Sequence, residues 1–302
     1  MIKAWRRQSI GSKIFDVINL ALMLALFVIF AYPFLNVIAI SFSNYQSIAK
    51  GLVTFFPRGF TIESYGFVMR DSYLYSSYLN TIFYAASHTI LMLAITSLVA
   101  YPLSKKYFMG NTFVTIYILI TMFFNGGLIP TYLNMSRLGL RGTMWAMILP
   151  GCVSGFNVIL FRTFFKNVPE ELCESAYMEG ASEFRILISI VLPLSKALLA
   201  TFALFSVVGV WNSWFNALLY LDKQEMYPLQ MVLRSYLYKI SSAQLQGRAG
   251  MSSAINPLEL RTIDPKSVQM AMIVITMFPI MVIYPFFQKH FMKGVMIGAI
   301  KG

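Results

Sequence analysis

PEELCESAYMEGASEFRILISIVLP, from Pro169 to Pro193, is a polar interruption between two strongly apolar stretches. It holds five of the chain's twelve acids: Glu170, Glu171, Glu174, Glu179 and Glu183. The residue order predicts two short helices with a bend. Pro169 suits a first helical turn, where an N–H has no intrahelical partner, and Glu170 and Glu171 favour the positive end of a helix dipole. Gly180 supplies the break, and Ser182 can cap a second helix. In that helix Phe184, Leu187, Ile188 and Val191 recur at i, i+3, i+4 and i+7, which predicts one apolar face packed on the chain's own spans. Pro193 marks the start of a new segment.

The stretches on either side set the class. Of 302 residues, 58% are hydrophobic and 12% charged, against about a quarter charged in a soluble domain. Several runs exceed the roughly 18 apolar residues that suggest a membrane helix. An all-α integral membrane protein with six transmembrane helices is expected, forming one domain over 1–302. The spans fall at about 16–40, 79–103, 112–129, 143–165, 194–221 and 267–288, and Pro33 is expected to kink the first. The polar stretch 169–193 lies inside; an aromatic stretch, 41–78, and a longer polar loop, 222–266, lie outside. The net charge of +12 comes from bases flanking apolar spans, so lipid head groups explain it better than nucleic acid. Lys3, Arg6, Arg7 and Lys13 precede the first span without an acid, which places the N-terminus in the cytoplasm; six spans return the C-terminus there. The first run is longer than the 7–15 residues of a signal-peptide core. Cys152 and Cys173 suggest neither a disulfide nor a metal site.

Within the polar stretch, Glu174-Ser175-Ala176, then three residues, Gly180, nine residues and Ile190-Val191-Leu192-Pro193 resemble the EAA loop of ABC importer permeases. That pattern is E-A-A-x3-G-x9-I-x-L-P, and Ser175 departs from it, small for small. The resemblance covers nearly the whole chain and is closest to carbohydrate-uptake permeases of the maltose type. The ending FQKHFMKGVMIGAIKG is similar to the branch handling oligosaccharides or polysaccharide fragments. It implies a type I importer permease fold in a bacterial cell membrane. The loop would then be a coupling helix docking on a cytoplasmic ATPase through Glu174, Ser175, Ala176, Glu179, Gly180, Glu183 and Arg185. The implied partners are a second homologous permease, two ABC ATPases that bind ATP and Mg, and a solute-binding protein. The outer loop would reach that protein, with its tip at Ser241, Gln244, Gln246 and Met251.

The residues narrow the chemistry independently. No G-x-x-x-x-G-K-[ST] loop is present, so ATP is not handled by this chain. Every acid lies in a loop or at a span edge, which argues against a proton-coupled carrier. His88, inside a span, reads as a packing residue. A membrane enzyme would need a cluster of acids, His or Ser at one face, and the acid cluster here lacks a histidine. Polar aromatic positions in the spans are left for substrate. Trp211, Asn212, Trp214 and Asn216 are expected to share helix sides, offering indole faces to sugar C–H surfaces and amides to hydroxyls. The same residues would equally serve as an interfacial belt and as helix joints. Asn125 and Tyr84, with Asn80 and Tyr132, are weaker candidates for the path. The expected function is a non-enzymatic permease subunit passing oligosaccharide by alternating access. A non-sugar ABC permease and a self-sufficient carrier are the alternatives.

Overall fold

The computed structural model describes residues 9–245 and 264–299, with side chains over 9–238 and 264–285. These residues are helical, with no strand among them beyond one isolated bridge, Ser43 to Phe60. The helices are α1 (Ile10–Ser41), α2 (Tyr45–Ala49), α3 (Glu63–Met69), α4 (Ser72–Ser104), α5 (Asn111–Phe123) and α6 (Leu128–Arg137). Then come α7 (Trp145–Ile148), α8 (Gly155–Phe165), α9 (Glu170–Met178), α10 (Glu183–Leu194), α11 (Lys196–Trp211), α12 (Phe215–Tyr220), α13 (Leu229–Leu245) and α14 (Pro265–Ala299). They fall into two compact units: residues within Met1–Asp71 and Tyr236–Thr276, and residues within Ser72–Ser235 and Met277–Gly302.

In the first unit α1 is a long apolar helix whose side chains are mostly exposed, the expected state of a helix with lipid as solvent. It starts nearly two turns before the expected span, where Ser9 caps it by accepting from Ser12 N–H at 3.3 Å, and it runs through Pro33. The stretch 41–78 is not one loop. Asn44 caps α2, Phe42 stacks between Phe60 and Tyr65, and α4 has begun by Ser72. Ser64 and Ser267 share a hydroxyl hydrogen bond at 2.6 Å, and Tyr236 donates to Asp71 at 2.6 Å.

The second unit is built around α4. Its core gathers Met92, Ala100, Tyr101 and Leu103 from α4, Val158, Phe161 and Phe165 from α8, Phe202 from α11, and Cys173, Ile186, Leu187 and Val191 from the polar stretch. Three expected spans are broken. Asn125-Gly126-Gly127 turns the chain by 116° between α5 and α6, with Gly127 at φ +86°. Pro150-Gly151 interrupts 143–165, leaving α7 and the eleven residues of α8. Asn212-Ser213-Trp214 separates α11 from α12. Among the described residues three helices, α1, α4 and Pro265–Pro285 within α14, are long and apolar enough to cross a membrane, or up to five if each bent pair is one span.

The loop expected over 222–266 also differs. Leu229, Val232, Leu233 and Tyr236 repeat at i, i+3, i+4 and i+7, and they wind α13 with Leu229 and Val232 buried. Ser241 and Gln244 therefore lie on helical backbone and not at a loop tip. Gln246 and Met251 lie outside the described residues.

Candidate functional site

The polar stretch folds into an elbow. Pro169 precedes α9 with φ −54°, and Glu170 and Glu171 occupy the first turn. The helix ends at Glu179, and Gly180 takes φ +78°, a left-handed conformation in which a side chain is strained. Ser182 then caps α10, accepting from Arg185 N–H at 3.4 Å. Both helices and the bend lie where their spacing put them.

The apolar face of α10 does not. Ile186, Leu187 and Val191 are buried, while Phe184 and Ile188 are exposed. Leu187–Val191 forms a π-helical turn. Its wider i to i+5 winding brings Ile186 and Val191 to one side, a register that a 3.6-residue count misses.

Two sides of the elbow differ. Cys173 is buried in the core, with Ala176 and Tyr177 packed against it. Glu171, Glu174 and Ser175 are exposed, and Met178 is 89% exposed on the same helix. Glu179 and Arg185 are exposed as well. Glu183 is engaged within the chain: its carboxylate accepts from Tyr101 at 2.7 Å and from Tyr107, whose hydroxyl pairs with Tyr177 at 2.9 Å. Burial pushes the Glu183 carboxyl up, but hydrogen bonds from Tyr107, Tyr101 and Tyr177 and the charge of Lys105 outweigh it and hold it below its usual range. Desolvation and the carboxylate together raise Tyr107.

A residue that sequence reasoning missed braces this corner. Arg162 donates to the Leu103 carbonyl at 2.9 Å and to Asn111 Oδ1 at 2.9 Å, and Asn111 Nδ2 donates to the same carbonyl at 2.8 Å. A cation at the C-terminal end of α4 satisfies a carbonyl that the helix leaves open and opposes its dipole. Its signal was an arginine inside an apolar run, which needs a partner.

The proposed path residues are dispersed by the break at 212–214. Trp211 and Trp214 do not share a helix face. Trp211 is buried edge-on to Tyr78, 6.3 Å between centroids. Asn212 donates to Val208 O at 3.0 Å and accepts from Gln230 at 3.4 Å. Trp214 lies under the Arg234 guanidinium, 3.5 Å from ring centre. Asn216 is half-buried on α12. Asn125 accepts from Gly127 N–H and so shapes the α5–α6 turn. Tyr84 and Asn80 donate to the carbonyls of Met226 and Glu225 and pin the connection between α12 and α13. Tyr132 stacks on Tyr220. His88 is a packing residue, with Nδ1 2.7 Å from the Ile148 carbonyl. Cys152 and Cys173 are free thiols.

The polar elbow is thus part of the core shared by the apolar helices of the second unit. The chain belongs to the family described as the binding-protein-dependent transport system inner membrane component, whose sequence profile matches residues 83–297. It is thus an ABC permease subunit and not an enzyme. It is 39% identical to protein LplC of Bacillus subtilis over 97% of this chain and 96% of that one. It is 35% identical to the B. subtilis polygalacturonan/rhamnogalacturonan transport system permease protein YtcP, over 96% and 99% of the two chains. Among solved structures, it matches a chain of a bacterial ABC transporter involved in the import of the acidic polysaccharide alginate. The TM-score is 0.85 at 30% identity, covering 94% of this chain and 99% of that one.

Proposed function

We propose that the chain is half of an ATP-driven importer for oligosaccharides or polysaccharide fragments, completed by a second permease, two ATPases carrying ATP and Mg, and a solute-binding protein. In this reading it crosses a bacterial cell membrane six times, α8 with the stretch before it making one short crossing, and both termini are cytoplasmic. The substrate class rests on the glycans named for YtcP and for the alginate transporter.

The observation that carries the coupling role is the two-sided elbow. On one side Cys173, Ile186, Leu187 and Val191 sit in the core of α4, α8 and α11. On the other, Met178 stands exposed beside Glu171, Glu174 and Glu179, an apolar knob with an acidic rim suited to a groove on an ATPase. ATP-driven closure of the ATPases moves the elbow, and the shared core carries the movement to the helices. Shifting a two-state equilibrium from 1:99 to 99:1 takes about 5.5 kcal/mol of differential binding, so a yielding connection would dissipate the drive.

The test is purification from the native membrane in mild detergent, with Gly180→Val alongside. A Cβ at Gly180 meets nothing within 4 Å, so the harm comes from the φ that valine resists. The wild type should bring an ATPase down and hydrolyse ATP faster with oligosaccharide-loaded binding protein. Gly180→Val should insert normally but lose both. Normal uptake by the variant would refute the coupling role.

A further inference from the structure

The break between α11 and α12 carries a feature that the coupling role does not use. Arg234, on the first turns of α13, lays its guanidinium on the Trp214 ring at 3.5 Å. The side chain is exposed, and no carboxylate lies within ion-pair distance of it among the described residues. Arg141 provides the contrast, since its fork is already on Asp222 at 3.1 Å. Stacking consumes the flat face of a guanidinium and fixes its orientation. The N–H edge, with donors arranged to fit a carboxylate bidentately, stays available. A second polar contact joins the same two elements, with Gln230 donating to Asn212 Oδ1 at 3.4 Å. Irregular backbone in a span is tolerated where it meets protein or a water-filled cavity, and this irregular stretch holds an oriented cation.

We propose that the Arg234–Trp214 pair is a binding station for the carboxylate of an acidic sugar unit, making the substrate a uronate-bearing oligosaccharide. The inference rests on the oligosaccharide-importer reading above. Arg234 takes the carboxylate through its in-plane N–H edge, and Trp214 holds the guanidinium flat.

The test is equilibrium binding of trigalacturonate and of galactotriose, its carboxyl-reduced counterpart, to the whole transporter in nanodiscs without binding protein. The wild type should hold trigalacturonate at least about tenfold more tightly, as expected for a charge-assisted pair, with the preference shrinking as salt rises. Arg234→Gln should erase the preference and leave galactotriose binding unchanged. Arg234→Lys should recover part of it, since charge survives without the fork. Equal losses for both sugars would make Arg234 a brace and overturn the station. So would an intact preference in Arg234→Gln, or a wild type that binds neither probe. ATP turnover with loaded binding protein separates the two levels. Stimulation by neutral oligosaccharides alone removes the station and leaves the importer standing; stimulation by no oligosaccharide removes the importer reading itself.

Discussion

Gly155 and Gly209 are both helical glycines in the second unit, and their surroundings predict opposite responses to a methyl group. A Cβ at Gly155 would stand 2.7 Å from Met122 Cγ and 3.2 Å from the Ile118 carbonyl, because α8 crosses α5 there at close range. A Cβ at Gly209 meets nothing within 4 Å. Gly155→Val should cost about 1–3 kcal/mol through overpacking, while Gly209→Ala should gain about 0.5–1 kcal/mol from the unfolded chain's lost freedom. Melting in detergent should move down for the first and up for the second. Glu183 adds a pH-dependent contact. Its carboxyl is held below its ordinary 4.5, so its contribution is complete above that value and is lost as pH falls through the depressed one. Glu183→Gln should cost about 1 kcal/mol near pH 7, discounted for exposure. Melting curves of variant and wild type should converge as the pH drops below 4.5; a gap that persisted at acid pH would refute the charge-based account.

At the scale of elements, the elbow was legible and its neighbours less so. Gly180, Ser182 and the acids after Pro169 are local signals, and each took its expected place, while Pro169 stands one residue ahead of the first turn. The buried face of α10 was not legible, because the π turn at Leu187–Val191 breaks the period on which the reading relied. Hydropathy marked the long apolar runs but passed over Pro150-Gly151 and Asn212-Ser213-Trp214, since a few polar residues barely lower a window average. The helix α13 was visible as Leu229, Val232, Leu233 and Tyr236, yet the Ser- and Gln-rich continuation drew the whole stretch into a loop. The partners of Tyr84, Asn80 and Arg162 lie far along the chain, and nothing in sequence spacing encodes such distances. The π turn itself is open to test. Ser189 is exposed within it, and inserting one alanine after it should make Val191 the sixth residue past Ile186 and rotate it out of the core by about 100°. Uptake should fall severalfold or more while membrane insertion stays normal. An uptake rate unchanged by the insertion would remove the register from the coupling route.

The whole molecule is organised for a solvent other than water, and α1 makes the point in one helix. Between Val17 and Ile40 it carries fifteen Leu, Ile, Val and Phe residues, and its apolar window is unburied within the chain. In water such exposure would drive aggregation; in hydrocarbon it is what holds the helix in place. Each central Leu, Ile, Val or Phe favours insertion by roughly 0.3–0.6 kcal/mol, whereas a central lysine opposes it by about 2.5–3.5 kcal/mol. The apolar residues together therefore outweigh one lysine and are only about balanced by two. Leu24 and Phe27 sit mid-helix and are 56% and 68% exposed. Leu24→Lys or Phe27→Lys alone should leave most of the chain in the membrane, because a lysine stem can also reach toward the interface. The double variant should lose about half or more of α1 insertion, read by a reporter fused after Ser41 or by release in alkaline carbonate. Full insertion of the double variant would mean that another protein, not lipid, covers this face, and co-purification would then identify that cover.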